Sequence, residues 1–183
     1  MQLIETTISD LWVVKFLPYR DERGLFSRLF CHKELQSIFN SRQILQINLT
    51  NTFHKGTIRG LHYQKPPNAE LKMITCLRGC VYDVAVDLRA RSATFLQWHA
   101  IELSPDNFNA YIIPEGFAHG FQCMQDDCQL LYLHTAFYSP QAEAGIAYND
   151  ARINIKWPLQ LTCISERDKL LPHAHSDFEG LLV

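Results

Sequence analysis

The chain reads as an all-β protein, an antiparallel sandwich or barrel, on three observations. From residue 44 onward, apolar side chains recur with the period of two that marks strands. Turn signals break these runs at short intervals: KPPN at 65–68, LRG at 77–79, SPDN at 104–107, PEG at 114–116 and YSP at 138–140. Strands this short and this closely spaced favour a sandwich or barrel over alternating α/β units. No repeat, low-complexity tract or Pro/Gly/Ser linker divides the 183 residues. One domain over 1–183 is therefore expected, with its β core at roughly 44–160.

In chain order, HKELQSIFN (32–40) is the best early helix candidate, and a short one. LKMITCLRG (71–79) is an apolar strand with Lys72 as its one charge before Arg78. VYDVAVDLR (81–89) alternates Val84, Val86 and Leu88 with Asp83, Ala85 and Asp87. IIPEGFAHGF (112–121) is a turn followed by a strand. QLLYLHTAFY (129–138) sets Leu130, Tyr132, His134, Ala136 and Tyr138 on one face and Leu131, Leu133, Thr135 and Phe137 on the other. From SERDKLL onward the pattern is a helical turn or two and a polar tail.

Composition narrows the function classes. A net charge of -2 supplies no global field for nucleic acid or an anionic membrane, although local basic residues can still hold an anion. No apolar run approaches the ~20 residues that cross a bilayer. The stretch MQLIETTISDLWVVKF has acidic residues early and lacks the basic-then-apolar layout of a signal peptide. The six cysteines form no C-x-x-C pair and no zinc-like spacing. Reduced thiols in the cytoplasm are the expectation.

The stretch TIRGLHYQ (57–64) carries the first chemical signal. Arg59 and His62 should point to opposite faces of a regular strand, yet Gly60 between them can take up a bulge and re-aim its neighbours. A cation and a titratable base would then share one cavity. Alone, His62 is as well explained by a structural hydrogen bond. With a carboxylate to fix its tautomer it becomes a general base, and Asp83, Asp87 and Asp168 are all eligible. Lys72 is either a solvent-facing edge residue or a buried cation awaiting negative charge, such as an enolate oxygen. Tyr132 is core packing or a phenolic proton donor opposite His62. Arg23, in the turn DERGLF, is a solvated charge or a partner of Arg59 in holding a diphosphate.

Pro114, Gly116 and His119 match the second half of a cupin signature and open a rival reading in which His62, Gln64, Glu70 and His119 ligate a metal. Gln64 stands where metal-binding cupins bring a histidine, and Lys72 would repel the ion, so no metal is expected.

Taken together, DERGLF, LQIN, IRGLHYQ, LKMITCLRGCVYDVAVDLRARSATF, IPEGFAHGF, LYLHTAFYSP, YND, IKWP and SERD resemble the dTDP-4-dehydrorhamnose 3,5-epimerase family, in family order over roughly residues 20–170. The resemblance implies a cupin-like jelly-roll barrel, usually a homodimer, acting on a nucleotide-linked 4-keto-6-deoxy sugar without metal or redox cofactor. It implies His62 as general base at C5 and then C3, Asp168 as its partner, Lys72 as the enolate-stabilising cation and Tyr132 as the acid on the opposite face. His119 falls at a substrate-binding position, as do Arg23, Gln46, Asn48, Arg59 and Glu143; Tyr138 falls where the base is stacked.

Some positions depart from the family pattern. Arg28 stands where the family usually has a glutamate at the nucleotide end, which reverses hydrogen-bond polarity there. A CDP-linked sugar is then an option beside dTDP, unless Arg28 turns away or binds phosphate. Arg167 replaces the usual lysine of SERD and is retained as a candidate substrate ligand. Ile47, Tyr148 and Ala151 depart as well, without touching the proton carriers. Rival functions are a single-carbon epimerase, a related 3,4-ketoisomerase, a metal cupin oxygenase and a non-catalytic sugar-nucleotide binder.

Overall fold

A computed structural model describes Met1–Val183. Thirteen strands and two single-turn helices follow in the order β1 (Gln2–Glu5), β2 (Trp12–Lys15), β3 (Tyr19–Asp21), β4 (Gly24–Phe26), α1 (Gln36–Phe39), β5 (Gln46–Thr52), β6 (Ile58–Gln64), β7 (Lys72–Arg78), β8 (Val81–Asp87), β9 (Trp98–Leu103), β10 (Asn109–Ile113), β11 (Phe117–Cys123), β12 (Cys128–His134), β13 (Glu143–Gly145) and α2 (Glu166–Lys169). One antiparallel sheet runs β1-β2-β10-β7-β12-β5 and the other β13-β6-β11-β8-β9; β3 and β4 form a separate two-stranded ribbon. The structure is the all-β jelly-roll expected from the sequence.

Apolar residues fill three layers, which explains why strands such as NAYII are almost wholly apolar instead of alternating. Between the sheets, Ile74, Tyr111 and Tyr132 of the six-stranded sheet meet Val81, Ala85, Phe117 and Phe121 of the five-stranded one. Outside the first sheet, Val14, Met73, Ile112 and Leu133 are covered by Leu35, Ile38 and Phe39 around α1. Outside the second, Leu61, Val84, Val86 and Leu88 lie under the C-terminal segment through Ile146, Ile153 and Ala174. No helix is long and apolar enough to cross a membrane.

Three expectations need correction. β1 and β2 pair into the six-stranded sheet, so the core begins well before residue 44. These strands have four residues each, too few to show a period. The helix expected over 32–40 shrinks to one turn, with no side-chain cap at Leu35 and Asn40 at φ 51 ending it. A segment that short cannot sustain a helix alone, and tertiary packing of Leu35, Ile38 and Phe39 retains a single turn. β12 stops at His134, so Tyr138 sits on a loop and not on the strand's inner face.

The expected bulge is present. His62 pairs with His119 and Arg59 with Phe121, so three steps along β6 match two along β11. Gly60 has φ +125, and a Cβ there would lie 2.6 Å from Gly120 Cα and 2.8 Å from the His119 carbonyl oxygen. The two strands approach this closely only because both residues are glycine. The extra residue turns Arg59 and His62 to the same cavity.

Gly60→Ala is therefore expected to cost about 3 kcal/mol or more, from strain plus backbone contact. Gly24→Ala, at φ +129 with nothing within 4 Å of its Cβ, should cost only about 1 kcal/mol. Urea unfolding of both variants measures the difference; equal losses would contradict the close-approach argument.

Candidate active site

A cavity of 570 Å³ opens between the two sheets at one end of the barrel. The inward stripe of β5 contributes Asn48 and Thr50, β6 contributes Arg59 and His62, β7 Lys72, β11 His119 and β12 Tyr132 and His134. The loops supply Glu70, Tyr138 and Ser165, while β13 brings Glu143 and α2 Arg167 and Asp168.

The five-stranded side holds two imidazole–carboxylate pairs. His62 Nε2 lies 2.8 Å from Asp168 Oδ1, and the Gly60 N–H released by the bulge donates to Asp168 Oδ2 at 3.1 Å. Burial acts to raise the Asp168 carboxyl, but the hydrogen bond and charge of His62, the Gly60 N–H and the Arg167 charge outweigh it and hold it at about 2. An ionised carboxylate only accepts, so His62 Nε2 carries the proton and Nδ1 presents the lone pair. Arg167 Nη2, 3.1 Å from the same Nε2, is then a close approach of two donors; its firm bond is Nη1 to Glu143 Oε1 at 3.0 Å. His119, cross-strand neighbour of His62, meets Asp83 Oδ1 at 2.9 Å through Nε2. Asp83 is fully buried, and that burial raises its carboxyl against the opposing pull of His119 and Lys72.

On the facing sheet, Tyr132 is buried, and burial followed by the Asp83 charge pushes its phenol upward, which keeps it protonated. Its ring stands edge-on to His119 at 6.0 Å between centroids. Lys72 is inward and buried, with Nζ 3.3 Å from Glu70 Oε1. At the mouth, Tyr138 donates from its hydroxyl to Glu143 Oε2 at 2.8 Å and from its backbone N–H to Gln46 Oε1 at 3.1 Å. Gln46 also donates to Asn48 Oδ1 at 3.1 Å. Arg59 donates from Nε to Thr52 Oγ1 at 3.0 Å, leaving most of its guanidinium free for an anion.

Thus His62, Lys72, Tyr132, Asp168, Asn48, Arg59, His119, Tyr138, Glu143 and Arg167 all line one cavity, with Gln46 bonded behind its rim. Arg23 and Arg28 do not reach it. Arg23 caps the β3–β4 ribbon against Asp21 at 2.5 Å, and Arg28 turns to Glu34 at 2.5 Å, which also holds the N-terminus. Sequence reasoning gave Glu70 a place only in the rival ligand set and gave His134 no role; both bear on the cavity. The four side chains of that ligand set go to different partners. Glu70 meets Lys72 and His134, and Gln64 meets the backbone of Asn68, Phe137 and Ser139, while each histidine has its own aspartate.

The depressed Asp168 carboxyl contributes stability that is complete above its unfolded value near 4 and is lost as pH falls through about 2. With screening at the open cavity this contribution is about 1 kcal/mol. Asp168→Asn should flatten that acid limb relative to the unsubstituted protein, read as urea midpoints between about pH 5 and pH 2.5. Identical limbs would show that Asp168 carries no linked proton.

Similarity to known proteins agrees with the geometry. Residues 5–176 match the family model described as dTDP-4-dehydrorhamnose 3,5-epimerase. The chain is 40% identical over 169 residues to the dTDP-4-dehydrorhamnose 3,5-epimerase of Shigella flexneri, covering 92% of this chain and 93% of the relative. The crystal structure of the 3,5-epimerase of Legionella pneumophila, in complex with dTDP-4-keto-L-rhamnose, superposes with a TM-score of 0.91 at 36% identity, over 99% of this chain and 97% of that one. A 3'-monoepimerase of Streptomyces bikiniensis, in complex with dTDP-quinovose, superposes with a TM-score of 0.85 at 28% identity, over 92% and 85%. The chain belongs to the dTDP-4-dehydrorhamnose 3,5-epimerase family.

Proposed function

We propose that this protein is an isomerase that epimerises a dTDP-linked 4-keto-6-deoxyhexose by removing and returning protons beside the ketone. The observation that carries the reading is the opposition of a histidine base and a buried phenol on facing sheets, with a lysine on the phenol's side. His62, oriented by Asp168, takes a proton at C5 and then at C3 through Nδ1. Lys72 meets the enolate oxygen, and Tyr132 returns a proton to the other face, which inverts the carbon. The ketone already acidifies both neighbouring carbons. A general base supplies ~10²–10⁴-fold, and preorganised charge at the enolate oxygen adds the larger share.

His119 and Asn48 contact the sugar in this reading. Arg59 and Arg167 hold the phosphates, Glu143 and Gln46 frame the mouth, and Tyr138, half exposed there, stacks on the base. Arg23 and Arg28 lie outside their own chain's cavity, so a role in binding requires the cavity of a second copy. A homodimer is supported by exposed Tyr19, Leu25 and Phe26 on the ribbon and by exposed Ile47 and Leu49 on the edge strand β5, with Phe53 just after it. Placement in the cytoplasm is supported by the six unpaired thiols.

In D2O, the protein should introduce deuterium at C5 and C3 of dTDP-4-keto-6-deoxyglucose, followed by NMR. His62→Ala should abolish uptake while dTDP binding is largely kept. Uptake at one carbon only would make the enzyme a monoepimerase, and uptake only from the CDP sugar would reassign the nucleotide. No uptake from either would overturn the reading. Mixing inactive Arg23→Ala and His62→Ala chains should restore activity, because a mixed dimer keeps one site with both residues. Full activity of Arg23→Ala alone would place Arg23 outside the site, and failure of the inactive pair to complement would deny it a role in the second copy's cavity.

A further inference from the structure

Glu70 lies two residues before β7, on the loop that feeds the six-stranded sheet, and its side chain is 8% exposed. A carboxylate so buried is costly unless matched, and here it is matched twice. Oε1 takes Lys72 Nζ at 3.3 Å and Oε2 takes His134 Nδ1 at 2.8 Å. Lys72 and His134 are cross-strand partners on β7 and β12, so one carboxylate bridges neighbouring strands at the cavity wall. Burial raises this carboxyl, but His134 and Lys72 outweigh burial and hold it below the usual carboxylate value.

Because Glu70 only accepts, the donors and acceptors around it fall into one consistent set. His134 donates from Nδ1, and its Nε2 accepts from Asn48 Nδ2 at 3.3 Å. Asn48 Oδ1 accepts from Gln46. The His134 ring lies nearly parallel to that of Tyr132, at 13° and 5.9 Å between centroids.

We infer that Glu70 is a positioning residue for the epimerisation, fixing Lys72 against the enolate oxygen directly and Tyr132 through the ring of His134. The inference rests on the epimerase reading. Lysine is a point charge on a flexible stem, and a cation stabilises developing charge best when it is already in place. The contact to Glu70 uses one ammonium N–H and leaves two for substrate oxygens. Glu70 partly neutralises the ammonium, so its contribution is placement rather than added positive field.

Three variants, assayed in D2O with exchange and inversion followed separately by NMR, test this. Glu70→Ala should lower kcat for both about ten- to a hundredfold. Its KM should stay within about threefold, because Arg59 and Arg167, which hold the phosphates, lie outside the Glu70–His134–Asn48–Gln46 chain. Glu70→Gln should recover exchange more than inversion, since the amide oxygen still accepts from Lys72 while its NH2 meets the Nδ1–H of His134 as a second donor. His134→Ala should reduce inversion more than exchange: His62 can still remove and return a proton on its own face, whereas Tyr132 has lost the ring beside it. Wild-type kcat in Glu70→Ala, or a rise in KM alone, would overturn the inference. Should Glu70→Ala fail to fold, His134→Ala decides, and an unchanged ratio of inversion to exchange overturns it. Absence of exchange in the unsubstituted enzyme would instead remove the epimerase reading beneath it.

Discussion

The Asp168 carboxylate is the contact on which the rest of the site depends. It accepts from the Gly60 N–H through one oxygen and from His62 through the other. That N–H is available because the bulge takes Gly60 out of the β6–β11 ladder, and the bulge exists because Gly60 and Gly120 let the strands touch. Ser165, capping α2 by accepting from the Asp168 N–H at 3.1 Å, holds the carboxylate in place from the other end. Backbone geometry, helix capping and the tautomer of His62 thus meet at one side chain.

The barrel separates its two tasks by position. The apolar interior from Ile74 to Phe121 welds the sheets at one end, while the inward positions at the other carry Asn48, His62, Lys72 and His119. Buried charges there are tolerated because each has a partner: Asp83 with His119, Glu70 with Lys72 and His134, Asp168 with His62. Asp87, equally buried, is satisfied by Arg89, Ser92 and Thr94 and serves the turn after β8.

How much of this could be read in the sequence depended on how local the signal was. Arg59, Gly60 and His62 lie within four residues, so a bulge could be inferred from spacing. Lys72 stood out as the one charge in an apolar run. The partner of His62 did not: on the residues alone Asp83, Asp87 and Asp168 were equal candidates for a contact that spans 106 residues, and only the family resemblance pointed to Asp168. Glu70 entered only the rival ligand set and His134 no set at all, for the same reason: their link runs from the loop before β7 to the end of β12 and leaves no periodicity. The N-terminal strands β1 and β2 were hidden by brevity. Arg23 was a candidate by charge in a turn and Arg28 by likeness, and within one chain they occupy the ribbon and the N-terminal turn, not the cavity.

Strand parity makes the wall of the cavity resistant to gradual change. Along β12, Leu130 and Tyr132 face the interior while Leu131 and Leu133 face the layer around α1. A single-residue insertion within that strand would exchange the two sets, sending the phenol outward and bringing leucines in. Length variation can therefore be absorbed without scrambling both layers only at a bulge such as that of β6, or where parity does not count, in the loops that carry Tyr138 and Ser165. New substrate preferences in such a barrel are easiest to acquire at its mouth, with the reacting centre inherited as a block.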